Sequence, residues 1–152
     1  DTALVVAVLV PLVAFAAQTG TLDLLAVLST LPAAAAMFVM MLAVEYPDVE
    51  ADGASGKRNL VVRLGRSRAR GLVVGGLVAT AAGVVLALAG GAPLTVIPLA
   101  LLAVPAGLGL RSSLANGSWR LPAGNAEIAA RGVTYFFMVS LASLLGYLTA
   151  ER

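Results

Sequence analysis

Gly71-Leu-Val-Val-Gly-Gly-Leu-Val-Ala-Thr-Ala-Ala-Gly-Val-Val-Leu-Ala-Leu-Ala-Gly-Gly91 contains no ionisable side chain, and Thr80 is its one hydroxyl. Coiled as an α-helix, a run of this length reaches the roughly 20 residues that a hydrocarbon core requires. Four further apolar segments flank it, from Thr2 to Ala17, Leu24 to Val44, Leu94 to Leu110 and Gly132 to Ala150, bounded by charges, Gly and Pro. None carries an ionised group in its middle. None shows the polar face at helical period that a buried soluble bundle would need. Hydrophobic residues make up 60% of the 152, charged residues 12%, and the mean hydropathy is +0.97. Soluble domains average about 25% charged residues. The expected fold is all-α, a polytopic membrane bundle of five transmembrane helices.

Charge outside these segments sets an orientation. Lys57, Arg58, Arg63, Arg66, Arg68 and Arg70 lie between the second and third segments, and Arg111, Arg120 and Arg131 between the fourth and fifth, on the same side; only Arg152 falls opposite. This asymmetry makes the stretches 45–70 and 111–131 cytoplasmic by the positive-inside rule. It also explains a net charge of +2 without invoking nucleic acid. The linkers Gln18 to Asp23 and Ala92-Pro93 carry no Lys or Arg, as outer turns often do not. With no Cys and no His, disulfides and thiolate or imidazole metal sites are excluded, so any metal must sit on oxygen. The first segment lacks a basic region ahead of it and an initiating Met, which argues against a cleaved signal peptide and for a chain that begins partway through a larger protein.

Within the helices most signals concern packing. Gly71, Gly75, Ala79, Gly83, Ala87 and Gly91 recur every four residues and suggest a small-residue ribbon for close helix approach. Pro32, Pro98 and Pro105 should bend or loosen their segments. Trp119 reads as an interfacial anchor, Asn125 as the cap of the last helix, and Glu127 as a first-turn acid favoured by the helix dipole.

Chemistry concentrates in Glu45-Tyr-Pro-Asp-Val-Glu-Ala-Asp-Gly-Ala-Ser-Gly-Lys-Arg-Asn-Leu-Val-Val-Arg-Leu-Gly65, which holds four of the eight acids. Pro47 suits a first helical position, from which Asp48 and Asp52, four apart, would project from one face with Glu45 near them. Like charges at this spacing call for a compensating cation. Hard Mg2+ suits an all-oxygen site shared among one or two carboxylates, water and phosphate. Lys57 and Arg58 follow within two turns and offer the donors and positive charge that a diphosphate would attract. Read without regard to order, the same charges would describe a solvated loop whose acids and bases pair.

The order and spacing of that stretch resemble the second aspartate motif of the UbiA superfamily of intramembrane prenyltransferases, D-x-x-x-D followed by Gly-Lys-Arg and a Leu-x-Val-Arg-Leu-Gly run. The resemblance implies a nine-helix fold, of which this chain, residues 1–152, looks like the C-terminal part, helices five to nine. The first motif, N-D-x-x-D-x-x-x-D, would belong to the missing N-terminal half of the same protein, and the present chain would be inactive alone. Carried over, Asp48 and Asp52 bind Mg2+ and act in catalysis, Lys57 and Arg58 bind the substrate diphosphate, and Glu45 assists at the rim. The implied reaction is Mg-dependent transfer of a polyprenyl group from an isoprenoid diphosphate to an aromatic acceptor in a membrane lipid setting, the bacterial plasma membrane. The wording of the stretch is most similar to the 1,4-dihydroxy-2-naphthoate prenyltransferases of menaquinone biosynthesis. A reading from a different class is a small membrane carrier or scaffold that binds a divalent ion or a phosphorylated lipid through the acidic loop.

Overall fold

The computed structural model describes residues 2–150. Among the described residues five helices are long and apolar enough to cross a membrane, as expected: α1 (Thr2–Thr19), α2 (Leu24–Glu45), α4 (Leu60–Ala89), α5 (Val96–Ala115) and α6 (Pro122–Ala150). A short α3 (Val49–Ala54) lies in the connection between α2 and α4. The protein is an all-helical polytopic membrane bundle.

Two helices begin well before their apolar segments. α4 starts at Leu60, where Asn59 accepts a hydrogen bond from the Val62 N–H at 2.8 Å, and runs through the Arg-rich stretch, whose side chains are good helix formers. α6 starts at Pro122, whose fixed φ and missing N–H suit a first helical position. Much of 45–70 and 111–131 is therefore helix rather than loop. Asn125 is consequently not a cap: its N–H donates to the Leu121 carbonyl at 3.0 Å and its buried Oδ1 has no partner. Glu127 lies beyond the first turn, where it pairs with Arg131.

The four-residue ribbon of α4 is also corrected. Gly71 and Gly75 face open space and Ala79 is exposed, whereas the buried line runs Ala69, Val73, Gly76, Thr80, Gly83, Ala87. A strict spacing of four advances about 400° per step, so it drifts about 40° around the helix each time, while alternating fours and threes stays on one face. Prolines act unequally. α2 continues through Pro32, and α5 breaks into Val96–Leu101 and Val104–Ala115 just ahead of Pro105. A π-helical turn, Val5–Leu9, widens α1 ahead of Pro11, relieving the clash between a proline ring and the carbonyl four residues back.

α2 packs against both α4 and α6 around Val39, Leu42, Ala43, Val73, Leu110, Leu114 and Ile128. Small residues mark the crossings. A Cβ on Gly83 would stand 2.9 Å from the Pro32 backbone nitrogen, one on Gly132 would meet Ala43, and one on Gly146 would meet Val96. Close backbone approach of this kind supplies the dispersion contact that holds helices together where lipid removes any hydrophobic drive. Outward-facing Val78, Val85, Leu101, Phe137 and Leu141 remain exposed, as a lipid-facing surface requires. At one end of the bundle the start of α4 meets the α5–α6 connection, where the Arg66 guanidinium lies 5.0 Å from the Trp119 ring centroid.

Candidate active site at the end of α2

The acidic stretch folds as a helix end, a turn, α3, a second turn and a new helix start. Glu45 closes α2, Tyr46 and Pro47 turn the chain, and Asp48 takes the position before α3, which opens at Val49, two residues later than a helix opening at Pro47. The Asp52 N–H donates to the Asp48 carbonyl at 2.7 Å, so the two aspartates are one turn apart, as their spacing required. Their environments differ: Asp48 is exposed, and Asp52 is only 9% exposed.

Burial of Asp52 is compensated by two donors. Lys57 Nζ lies 2.7 Å from Oδ1 and Asn59 Nδ2 2.8 Å from Oδ2. The backbone explains how Lys57 arrives there. Gly56 takes φ +78, the Lys57 N–H donates to the Asp52 carbonyl at 2.9 Å, and this Schellman turn folds the chain back over the C-terminal end of α3. The carboxylate beside it, chiefly through that hydrogen bond, raises the Lys57 pKa and keeps the amine charged. Asn59 has two roles, since its Oδ1 caps α4 while its Nδ2 holds Asp52. Its capping role was readable from its place before a helical run; its grip on Asp52 was not.

Glu45 sits against this pair. Its carboxylate lies near the Val61 N–H at the start of α4 and feels the charge of Asp52, while its Oε2 is buried without a hydrogen-bond partner. Arg58, on the exposed linker after Lys57, makes no ion pair among the described residues. Of the expected residues, then, Asp52, Lys57 and Glu45 converge, Asp48 flanks them in solvent, and Arg58 stands apart.

A second cluster braces the first. Arg66 donates through Nη1 and Nη2 to both oxygens of Glu50, the Nη2 distance being 2.8 Å, and through Nη2 to the Tyr46 carbonyl at 3.2 Å. The Tyr46 hydroxyl returns a bond to the Arg66 carbonyl at 2.6 Å. Hydrogen bonding from Arg66 holds the Glu50 carboxyl below its ordinary pKa. The exchange is possible because Gly65, at φ 75 and ψ 156, kinks α4 and aims Arg66 back at Tyr46. Nothing in the sequence pairs Tyr46 with Arg66, because their meeting depends on that kink.

The UbiA prenyltransferase family matches this chain over residues 2–141. The chain belongs to the UbiA prenyltransferase family. Its activity class is therefore prenyl transfer, and the protein is integral to the membrane. No match was found among curated proteins or among solved structures. For a UbiA-family protein the donor set around Asp52 is chemically apt for a hard divalent cation. It is all oxygen, and it includes a buried Glu45 oxygen without a partner. Among the described residues no three acidic, His or Cys side chains converge as a complete metal cage. Mg2+ does not demand one, since it usually keeps water and substrate phosphate in its shell alongside one or two carboxylates.

Proposed function

We propose that the α2–α4 connection is half of the active site of a Mg-dependent polyprenyltransferase acting on an aromatic acceptor, with 1,4-dihydroxy-2-naphthoate as the favoured acceptor. The observation that carries this reading is Asp52, buried at the membrane-border end of the bundle and held by Lys57 and Asn59 beside the unpartnered Glu45 oxygen. Asp48 and Asp52 would hold the cation, with Glu45 at the rim. The bound Mg2+ would neutralise charge on the departing diphosphate.

Lys57 and Arg58 have a complementary task. As the allylic C–O bond breaks, its electron pair leaves with the diphosphate, and fixed cationic donors placed beforehand stabilise that developing charge. A protonated Lys57 is already in position next to Asp52, and Arg58 stands exposed one residue on. The acceptor ring carbon then bonds to C1 of the prenyl group and loses its proton. The apolar helices shield the electron-poor carbon from water and accommodate the polyprenyl tail.

The five helices correspond to helices five to nine of the family fold, with the N-terminal half contributing the first aspartate motif. Both charged connections face the cytoplasm in this reading, which the basic residues support. The deciding experiment assays the full-length protein in bacterial membranes with polyprenyl diphosphate, dihydroxynaphthoate and Mg2+. Asp52→Asn should lower turnover at least about 100-fold, the scale of losing one preplaced electrostatic group, and EDTA should abolish it. Full activity in Asp48→Asn or Asp52→Asn would remove the metal role.

A further inference from the structure

A cavity of about 250 Å³ opens between the start of α4, the end of α5 and the turn before α6. Its lining includes Arg66, Ser67, Arg70, Leu114, Trp119 and Arg120. The volume lies below the roughly 300–1,000 Å³ of sites for drug-sized ligands and is apt for one small polar group.

Charge here is unbalanced. Arg66 is neutralised by Glu50 on the side of α3, but among the described residues neither Arg70 nor Arg120 has an acidic partner. The Arg66 and Arg120 guanidiniums stack on one indole, 5.0 and 4.6 Å from its centroid, and Arg66 Nε is buried without a hydrogen-bond partner. Among the described residues the charges of Arg70 and Arg120 have no acidic partner, and an anion in the cavity they line would offset both. Arginine forks only donate, and the Ser67 hydroxyl can donate beside them, a set that matches phosphate oxygens. The cavity also sits at a border. The apolar run of α4 begins at Gly71, immediately after Arg70, and Leu121 beside Arg120 is 66% exposed.

We infer that the cavity between Arg66, Arg70, Arg120 and Trp119 binds a phosphate group, presented by an anionic phospholipid headgroup or free in solution. The site is separate from the Asp52 cluster and linked to it through Arg66, which reaches Trp119 with the same guanidinium that holds Glu50. Phosphate binding there would brace the α2–α4 connection on which the aspartates are mounted.

Trp119 is the one tryptophan in the chain and reports directly on its cavity. The protein in neutral detergent micelles is titrated with short-chain phosphatidylglycerol and, separately, with inorganic phosphate, and Trp119 emission is followed. Expected is a saturable change whose half-point rises about tenfold in Arg70→Gln and in Arg120→Gln, the scale of one charge-assisted hydrogen bond. Arg68→Gln, at an exposed position outside the cavity, should change it less than about twofold. Saturation by phosphatidylglycerol alone assigns a lipid headgroup, and saturation by inorganic phosphate assigns a free anion; either supports the site. No saturable response to either probe overturns it. So does an equal loss in Arg68→Gln and Arg70→Gln, which would mean diffuse attraction to a basic surface.

Discussion

Tyr46 is fully buried at the junction where α2 ends, and its phenol donates to the Arg66 carbonyl. Burial disfavours the phenolate and pushes the pKa up to about 12, against smaller opposing pulls from Arg70 and Arg66. The raised value fixes the sign of the pH effect. Folding favours the neutral phenol, so its contribution is complete below the unfolded pKa of about 10 and is lost as pH climbs towards the folded value. Stability should therefore fall between about pH 10 and 12, and Tyr46→Phe should flatten that decline while costing about 1 kcal/mol at neutral pH. Thermal unfolding in detergent across this range checks both. Glu50 works in the opposite sense, because Arg66 lowers its pKa and its contribution fades only as pH drops through that lowered value. Asp48, Asp52, Lys57 and Glu45 were legible as candidates from order and spacing. Their unequal exposure was not, since it depends on which neighbours fold over them.

The connection between α2 and α4 depends on two glycines at the level of the element. Gly65 at φ 75, ψ 156 lies in a region essentially closed to other residues, and Gly56 at φ +78 closes the turn that carries Lys57 onto Asp52. Gly65→Ala should destabilise the protein by about 1 to 3 kcal/mol and release Arg66 from Glu50. Gly71→Ala and Gly75→Ala, at helical positions where a Cβ meets open space, should instead be neutral or stabilising by about 0.5 to 1 kcal/mol. Denaturation of the three variants in matched micelles compares them directly. The ordering separates the periodic small residues that drift around α4 from the glycine that kinks it. Sequence periodicity alone singled out the drifting set, because regular spacing is visible in one dimension and helical rotation is not.

For the molecule as a whole, topology gives a test that its composition makes clean. With no native cysteine, single Cys substitutions at exposed Ser55, Asn116 and Thr21 report side by side on the two ends of the bundle. A membrane-impermeant maleimide applied from the cytoplasmic side should label Ser55→Cys and Asn116→Cys but not Thr21→Cys, and from the outer side the reverse. Labelling of Ser55→Cys and Asn116→Cys from opposite sides would contradict the bundle itself, in which Arg66 of α4 holds Glu50 of the first connection and lies over Trp119 of the second. The number and position of the membrane helices were fixed in the sequence, because a lipid core demands about 20 apolar residues in a row whatever the rest of the chain does. So was the location of the charge-rich connections, because charge that cannot enter lipid collects where the chain leaves it. Only the tertiary structure decided which charges meet: Lys57 on Asp52, Arg66 on Glu50, and Arg66 with Arg120 over Trp119. Those pairings depend on the glycine turns and on the crossings at Gly83 and Gly132, where close packing sets the register between helices that the linear sequence leaves open.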